Sequence, residues 1–215
     1  MDNVIVIGSG GHAKVVIDIL QTMGDVFILG ITSNSIPKGE KFNTIEVLGD
    51  DESIVNTFDK SKVKLAMGLG GYRDNSLRTN VYEKMKSFGF TFINAIHPHS
   101  FISQSCKLGE AVTIFPGVIL NTEVSIGNNS IIATSATIDH ETIIGDNVLV
   151  SAGVTIGAYS KIGNQSLLAL GAKVISGLII GENTLIASGA VVVSDTFPNS
   201  QMFGLPAKNR IVKSN

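Results

Sequence analysis

The chain has 215 residues, 16% of them charged, with a net charge of −2, 23 glycines, one cysteine and no tryptophan. That length builds one large or two modest domains with real cores, and the near-neutral charge argues against the electrostatic footprint of a nucleic-acid binder. One cysteine excludes an internal disulfide framework, no apolar stretch reaches the length of a membrane span, and Met1-Asp2-Asn3-Val4 does not begin a signal peptide, so the expectation is a soluble, cytoplasmic protein.

Val4-Ile5-Val6-Ile7 is a short apolar strand that meets Gly8-Ser9-Gly10-Gly11, and a helix-compatible run follows from Ala13 to Leu20. Strand, glycine turn and helix in that order, with the spacing Gly8-x-Gly10-x-x-Ala13, fit the dinucleotide fingerprint. A turn without side chains lets a phosphate approach the backbone, and the helix N-terminus offers oriented N–H donors. His12 follows the turn as either a capping imidazole or a ligand contact, and Lys14 reads as a surface lysine. A second strand over 26–31 ends in Thr32-Ser33-Asn34, without the carboxylate that would hold the ribose of NAD. A third strand over 63–67 opens into Gly68-Leu69-Gly70-Gly71, residues 75–88 read as a helix, and 90–93 as a last short strand. Residues 1–94 are therefore expected to form a small α/β, Rossmann-like domain with its ligand at the carboxyl ends of the strands.

Ile96-His97-Pro98-His99-Ser100 reads as an extended junction, because no third metal ligand lies at a recognisable spacing from the two histidines. Beyond it the pattern changes to a ladder. Stepping by six from Ile102 to Val192 meets sixteen consecutive positions that are all Ile, Leu or Val. The residue four places after each is nearly always small or β-branched, with Cys106 as a buried filler and Leu178 the bulkiest, and the residue just after it is often glycine, as at Gly109, Gly127, Gly145, Gly157, Gly163 and Gly181. A period of six calls for a short strand and a sharp corner, and three such sides close a triangular coil of about eighteen residues. Residues 95–215 should thus form about five stacked coils of parallel β-helix.

Almost every outward position of the ladder is neutral or small until Asp139-His140-Glu141. His140 is the ladder's one histidine and stands near a corner, so its side chain should point outward. A lone exposed histidine is often inert. The flanking carboxylates supply the reason to weigh it as a base, since either one raises basicity or fixes a tautomer, provided the corner bends Glu141 towards the ring. After Val192 the chain leaves the ladder through Gly204-Leu205-Pro206-Ala207-Lys208-Asn209-Arg210, which reads as a cap over the last coil edge or as a presentation of Lys208 and Arg210 to phosphates.

The ladder followed by Gly204-Leu205-Pro206-Ala207-Lys208 resembles the left-handed β-helix acyltransferases. With Ile7-Gly8-Ser9-Gly10-Gly11-His12-Ala13 ahead of it, the chain resembles the NeuD family of bacterial sugar acyltransferases, which includes PglD-type enzymes acetylating UDP-linked 4-amino sugars. That resemblance implies a left-handed β-helix, homotrimers, and acetyl-CoA in the groove between adjacent helices near Leu149, Leu170, Ser188 and Gly189. It also implies His140 as general base with Glu141 as its partner, and a nucleotide-linked sugar over Gly10, Gly11, His12, Thr32, Ser33 and Gly68. The chain departs from the PglD pattern in three places. Thr32-Ser33 replaces acidic residues, Leu149 replaces a second histidine, and Gly68-Leu69-Gly70 replaces a Gly-Asn-Asn run.

Acetyl transfer from a thioester to an amine or hydroxyl needs a base and oxyanion donors but no metal. The expected activity is acetyl-CoA-dependent N-acetylation of a nucleotide-activated amino sugar, the alternative being O-acetylation of a sugar or sialic acid hydroxyl. A zinc enzyme of the γ-carbonic-anhydrase type would need three histidines on the coils. A non-catalytic scaffold that oligomerises through the solenoid is the non-enzymatic alternative.

Overall fold

The computed structural model describes residues 1–71 and 75–209, and the chain divides into two compact units, Met1–Pro98 and His99–Asn215. The first unit is built on β1 (Asp2–Ile7), the central strand of a parallel sheet, with β2 (Val26–Ile31) on one side and, on the other, a strand over Lys64–Met67. Val4 to Ile7 are fully buried, which is why that strand reads as an unbroken apolar run rather than an alternation. Helix α1 (Gly11–Met23) packs on the sheet through Ala13, Val16, Ile17, Ile19 and Leu20, and it stops at Gly24, whose left-handed conformation lets its N–H reach the Leu20 carbonyl.

Two elements of this unit carry too little periodicity to be read from sequence. One is a small hairpin pairing Lys41–Phe42 with Ile45–Glu46. The other is the seven-residue helix α2 (Asp51–Thr57), capped by the Asp50 carboxylate, which accepts from the Ser53 N–H at 2.8 Å. Helix α3 (Ser76–Ser87) falls within the predicted span. The strand expected over 90–93 is a single bridge between Phe92 and Leu65. Only the Leu65 N–H and carbonyl are met there, by Thr91 and Ile93, because the chain turns away from the sheet edge.

The second unit is the parallel β-helix. Sixteen two-residue strands run from Phe101–Ile102 to Val191–Val192 and stack on three faces with a register of 18 residues, as in Ile119 on Thr137 and Thr137 on Thr155. The six-residue ladder is its interior, and every rung from Ile114 to Val192 is at most 3% exposed. Ile102 and Leu108, at the open edge of the first coil, are half-buried, as is Cys106, whose Sγ lies 3.1 Å from the Asn121 carbonyl. Cys106 is therefore a partial filler, because no coil precedes it to close the space.

The corners turn three residues after each rung from Leu108 to Ile186, where the backbone takes a left-handed conformation at Ala111, Gly117, Glu123, Asn129, Ser135, Glu141, Asn147, Gly153, Tyr159, Gln165, Gly171, Gly177, Asn183 and Gly189. The glycines just after the rungs serve another purpose. A Cβ on Gly163 would lie 2.4 Å from the Glu182 nitrogen, so those positions stay bare to let successive coils approach. The tail adds Gln201–Phe203 parallel to Leu185–Ile186 and then folds Lys208–Asn209 back on it, antiparallel, which covers an edge of the last coil. Lys208 is exposed, and Arg210 lies outside the described residues.

Candidate functional site

In the first unit, a cleft of about 350 Å³ opens at the carboxyl ends of β1 and β2. Its walls include Gly8, Ser9 and Gly10 from the glycine turn, Thr32 and Ser33 from the end of β2, and Asp51 from the start of α2. Gly8 has φ +95°, and a Cβ there would lie 2.6 Å from Leu69, so the turn requires glycine. Gly10 and Gly11 face open space. Gly10 caps α1 without a side-chain acceptor, and the first turn of α1 carries no acid, so its N-terminal donors suit an anion. Thr32 is fully buried, accepts the Gly8 N–H at 3.0 Å and donates to Asp51 Oδ1 at 2.5 Å. The hydroxyls of Ser9 and Ser33 meet at 2.7 Å.

Of the six residues expected to hold the nucleotide-sugar, Gly10, Thr32 and Ser33 line this cleft, and Gly11, His12 and Gly68 do not. Gly68 is buried, and a Cβ there would press on the Ile7 carbonyl at 2.7 Å and on Ala13 at 3.1 Å, so its smallness lets strand and helix meet. The His12 ring packs towards Arg78, whose Nη1 lies 3.5 Å from His12 Nε2 and also donates to the carbonyls of Met67 and Leu69. A guanidinium only donates, so the imidazole turns an unprotonated Nε2 towards it. Burial, helped by that guanidinium, pushes His12 from its ordinary 6.5 down to about 3, and burial lowers Arg78 to about 9.

A pH effect follows. A histidine whose folded pKa lies below its unfolded value contributes stability that is complete above pH 6.5 and declines as pH falls towards 3. Urea unfolding at about pH 7 and about pH 4.5 should show a smaller acid loss of stability in His12→Gln than in the wild type, whereas identical losses would contradict a neutral imidazole held against Arg78.

In the second unit, Asp139, His140 and Glu141 occupy one corner. Glu141 has φ +57°, and this left-handed residue turns the chain so that Oε2 lies 3.1 Å from His140 Nδ1. The bend that the sequence reading required is therefore present. Asp139 accepts the His140 backbone N–H at 2.8 Å and the Asn121 amide at 2.9 Å, and these bonds hold its carboxyl below the usual range. Tyr159 sits one coil after Glu141, with its ring edge-on to His140, centroids 4.9 Å apart at 87°. A hydrogen bond to the Glu141 carboxylate pushes its phenol up. Tyr159 escaped the sequence reading, although a step of 18 residues from Glu141 lands on it. An ionised Glu141 accepts from Nδ1–H, which leaves Nε2 as the basic nitrogen.

The residues expected at acetyl-CoA lie elsewhere on the coil. Leu170, Ser188 and Gly189 are exposed at another corner, where the Gly189 N–H donates to the Leu170 carbonyl at 2.9 Å. Leu149 is 7% exposed, between Ile131 and Leu167 on the face that leads into that corner. Within one chain, none of the four shares the His140 corner. Among the described residues no group of three His, Cys, Asp or Glu could hold a metal ion, and no helix is long and apolar enough to cross a membrane.

The family model for the PglD N-terminal domain matches residues 3–85. A histidine-to-asparagine variant of perosamine N-acetyltransferase from Caulobacter crescentus, solved with CoA and GDP-perosamine, is 32% identical over 99% of this chain and 98% of that one, with a TM-score of 0.89. The acetyltransferase domain of PglB from Neisseria gonorrhoeae FA1090, solved with acetyl coenzyme A, is 25% identical over 97% of this chain and 98% of that one, with a TM-score of 0.88. UDP-N-acetylbacillosamine N-acetyltransferase from Bacillus subtilis (strain 168) is 27% identical over 119 residues, 53% of this chain; the match spans 51% of that relative, about half its length. An α/β unit followed by a left-handed β-helix, with this identity over nearly its whole length, places the chain in the NeuD/PglD-like family of hexapeptide-repeat sugar acetyltransferases.

Proposed function

We propose that this chain transfers the acetyl group of acetyl-CoA to the amino group of a nucleotide-activated amino sugar, in a ternary complex, with His140 as the general base. The observation that carries the proposal is the Glu141 carboxylate 3.1 Å from His140 Nδ1 at a half-exposed corner. With Nδ1–H held there, Nε2 takes the proton that the sugar amine gives up as its nitrogen bonds to the thioester carbonyl carbon. The C–S bond then breaks, and the CoA thiolate leaves with the proton from the imidazolium. Glu141 steadies the transient positive charge, and Tyr159 steadies Glu141.

The copies form a homotrimer in this proposal, which brings the corner of one copy carrying Leu170, Ser188 and Gly189 towards His140 of the next, with CoA between them. Leu149 supplies apolar surface where the PglD pattern has histidine. The cleft over Gly10, Thr32 and Ser33 takes the nucleotide, with Gly11 and His12 beside it and Gly68 supporting the turn. GDP-perosamine and CoA in the 32% identical relative support this pairing of ligands, and acetyl-CoA as the donor supports a cytoplasmic reaction.

The test is thiol release from acetyl-CoA with GDP- and UDP-linked amino sugars, each beside its counterpart lacking the amine, and mass spectrometry of the product. Thiol release restricted to the amines, with a hydroxylamine-stable product carrying one added acetyl group, is the expected result. An ester product, or no release with any amine, would overturn the proposal.

A further inference from the structure

We propose that Asp51 holds the ribose diol of the bound nucleotide, supplying from the start of α2 the carboxylate that the end of β2 lacks. This rests on the reading that the cleft of the first unit takes a nucleotide. In open parallel sheets the acid at the end of the second strand takes the ribose hydroxyls, and here that strand runs into Thr32-Ser33-Asn34. The structure returns an acid to the place from a different segment. Asp51 lines the cleft with Gly8, Ser9 and Gly10, and it is fixed through Thr32, which accepts the Gly8 N–H and therefore has its one hydrogen for Asp51 Oδ1.

Thr32 is fully buried, so this relay is part of the core and not a chance surface contact. Among the described residues Oδ2 makes no hydrogen bond. An ionised carboxylate accepts and never donates, and a vicinal diol offers it two O–H groups. The position favours the sugar over the base. A diphosphate seated on the glycine turn has its ribose one ester link away, and the carboxylate stands only two hydrogen bonds from that turn. The edge of the base would lie a further ring beyond.

The experiment is calorimetric titration of wild type and Asp51→Asn with GDP and UDP, each beside its 2′-deoxy form. Asparagine keeps an oxygen for the Thr32 hydroxyl, and thermal melting checks that the fold is retained. The wild type is expected to prefer the ribonucleotides by about ten- to a hundredfold, the scale of a hydrogen bond to a charged group. Asp51→Asn should bind the deoxy forms as the wild type does and lose the preference.

A wild type indifferent to the 2′-hydroxyl overturns the assignment without any variant. A variant that keeps the preference, or that weakens ribo and deoxy forms equally, overturns it as well, the second result marking a structural role only. Loss of a GDP-over-UDP preference with ribose discrimination intact would assign Asp51 to the base edge instead. A wild type that binds no nucleoside diphosphate overturns the nucleotide reading itself, and this assignment with it.

Discussion

His140→Ala is expected to lower acetyl transfer by about 10²–10⁴-fold, the range that a positioned general base supplies, with folding and assembly unchanged. The ring stands outside the coil at a corner whose backbone bonds do not involve it. The Tyr159 N–H donates to the His140 carbonyl and the Glu141 N–H to the Thr122 carbonyl, and both survive truncation of the side chain. The Ile138 rung beneath it is fully buried and untouched. Rate should therefore fall while the melting temperature and the affinities for CoA and nucleotide hold. Glu141→Gln should cost less, because an amide oxygen still accepts Nδ1–H after the charge is gone. Steady-state thiol release beside binding titrations checks both variants. Undiminished turnover in His140→Ala would remove the imidazole from the reaction.

The second large effect concerns the ladder. Ile162 and Lys161 are adjacent in one strand and point to opposite sides of the coil wall. Ile162 is 3% exposed and stacks between Ile144 and Ile180, whereas Lys161 is exposed. Ile162→Ala removes methyl groups from a coil too narrow to collapse and should destabilise by about 2–5 kcal/mol. Ile162→Asp puts an unpaired carboxylate in the same place and should abolish the folded solenoid, because the buried hydroxyls of Thr142, Ser160, Ser166 and Thr184 already donate to backbone carbonyls. Lys161→Ala should shift stability by no more than about 0.5 kcal/mol. Urea unfolding followed by circular dichroism distinguishes the three. A tolerated Ile162→Asp would contradict an aliphatic interior.

The interior of the solenoid is legible in the sequence because each side of a narrow coil admits one aliphatic side chain, and that constraint repeats without a gap from Ile102 to Val192. The left-handed corners are less legible. Glu141, Tyr159 and Gln165 adopt a conformation that residue type does not announce, while the conspicuous glycines mark the closeness of the next coil. His140 and Glu141 are adjacent in sequence, so a local reading finds them. Tyr159 reaches the same corner only through the coil repeat.

Asp51 is the same lesson in the other unit. It lies 19 residues from Thr32, in a segment without periodicity, so a reading confined to the end of β2 finds no acid where the fold supplies one. Leu149, where the PglD pattern has histidine, is likewise placed by packing, between Ile131 and Leu167. What governs each of these is stacking between coils or between segments, which a window sliding along one strand does not sample.

The central claim is that the amine of the sugar and the thioester of acetyl-CoA meet at His140. A crystal structure of the His140→Ala chain with CoA and a GDP-linked amino sugar tests it most directly. The CoA sulfur and the sugar nitrogen should converge between neighbouring copies, with the nitrogen about 3 Å from where Nε2 of the native ring would stand. Density for either ligand at a corner remote from residue 140, or a chain that binds both without assembling, would contradict the account.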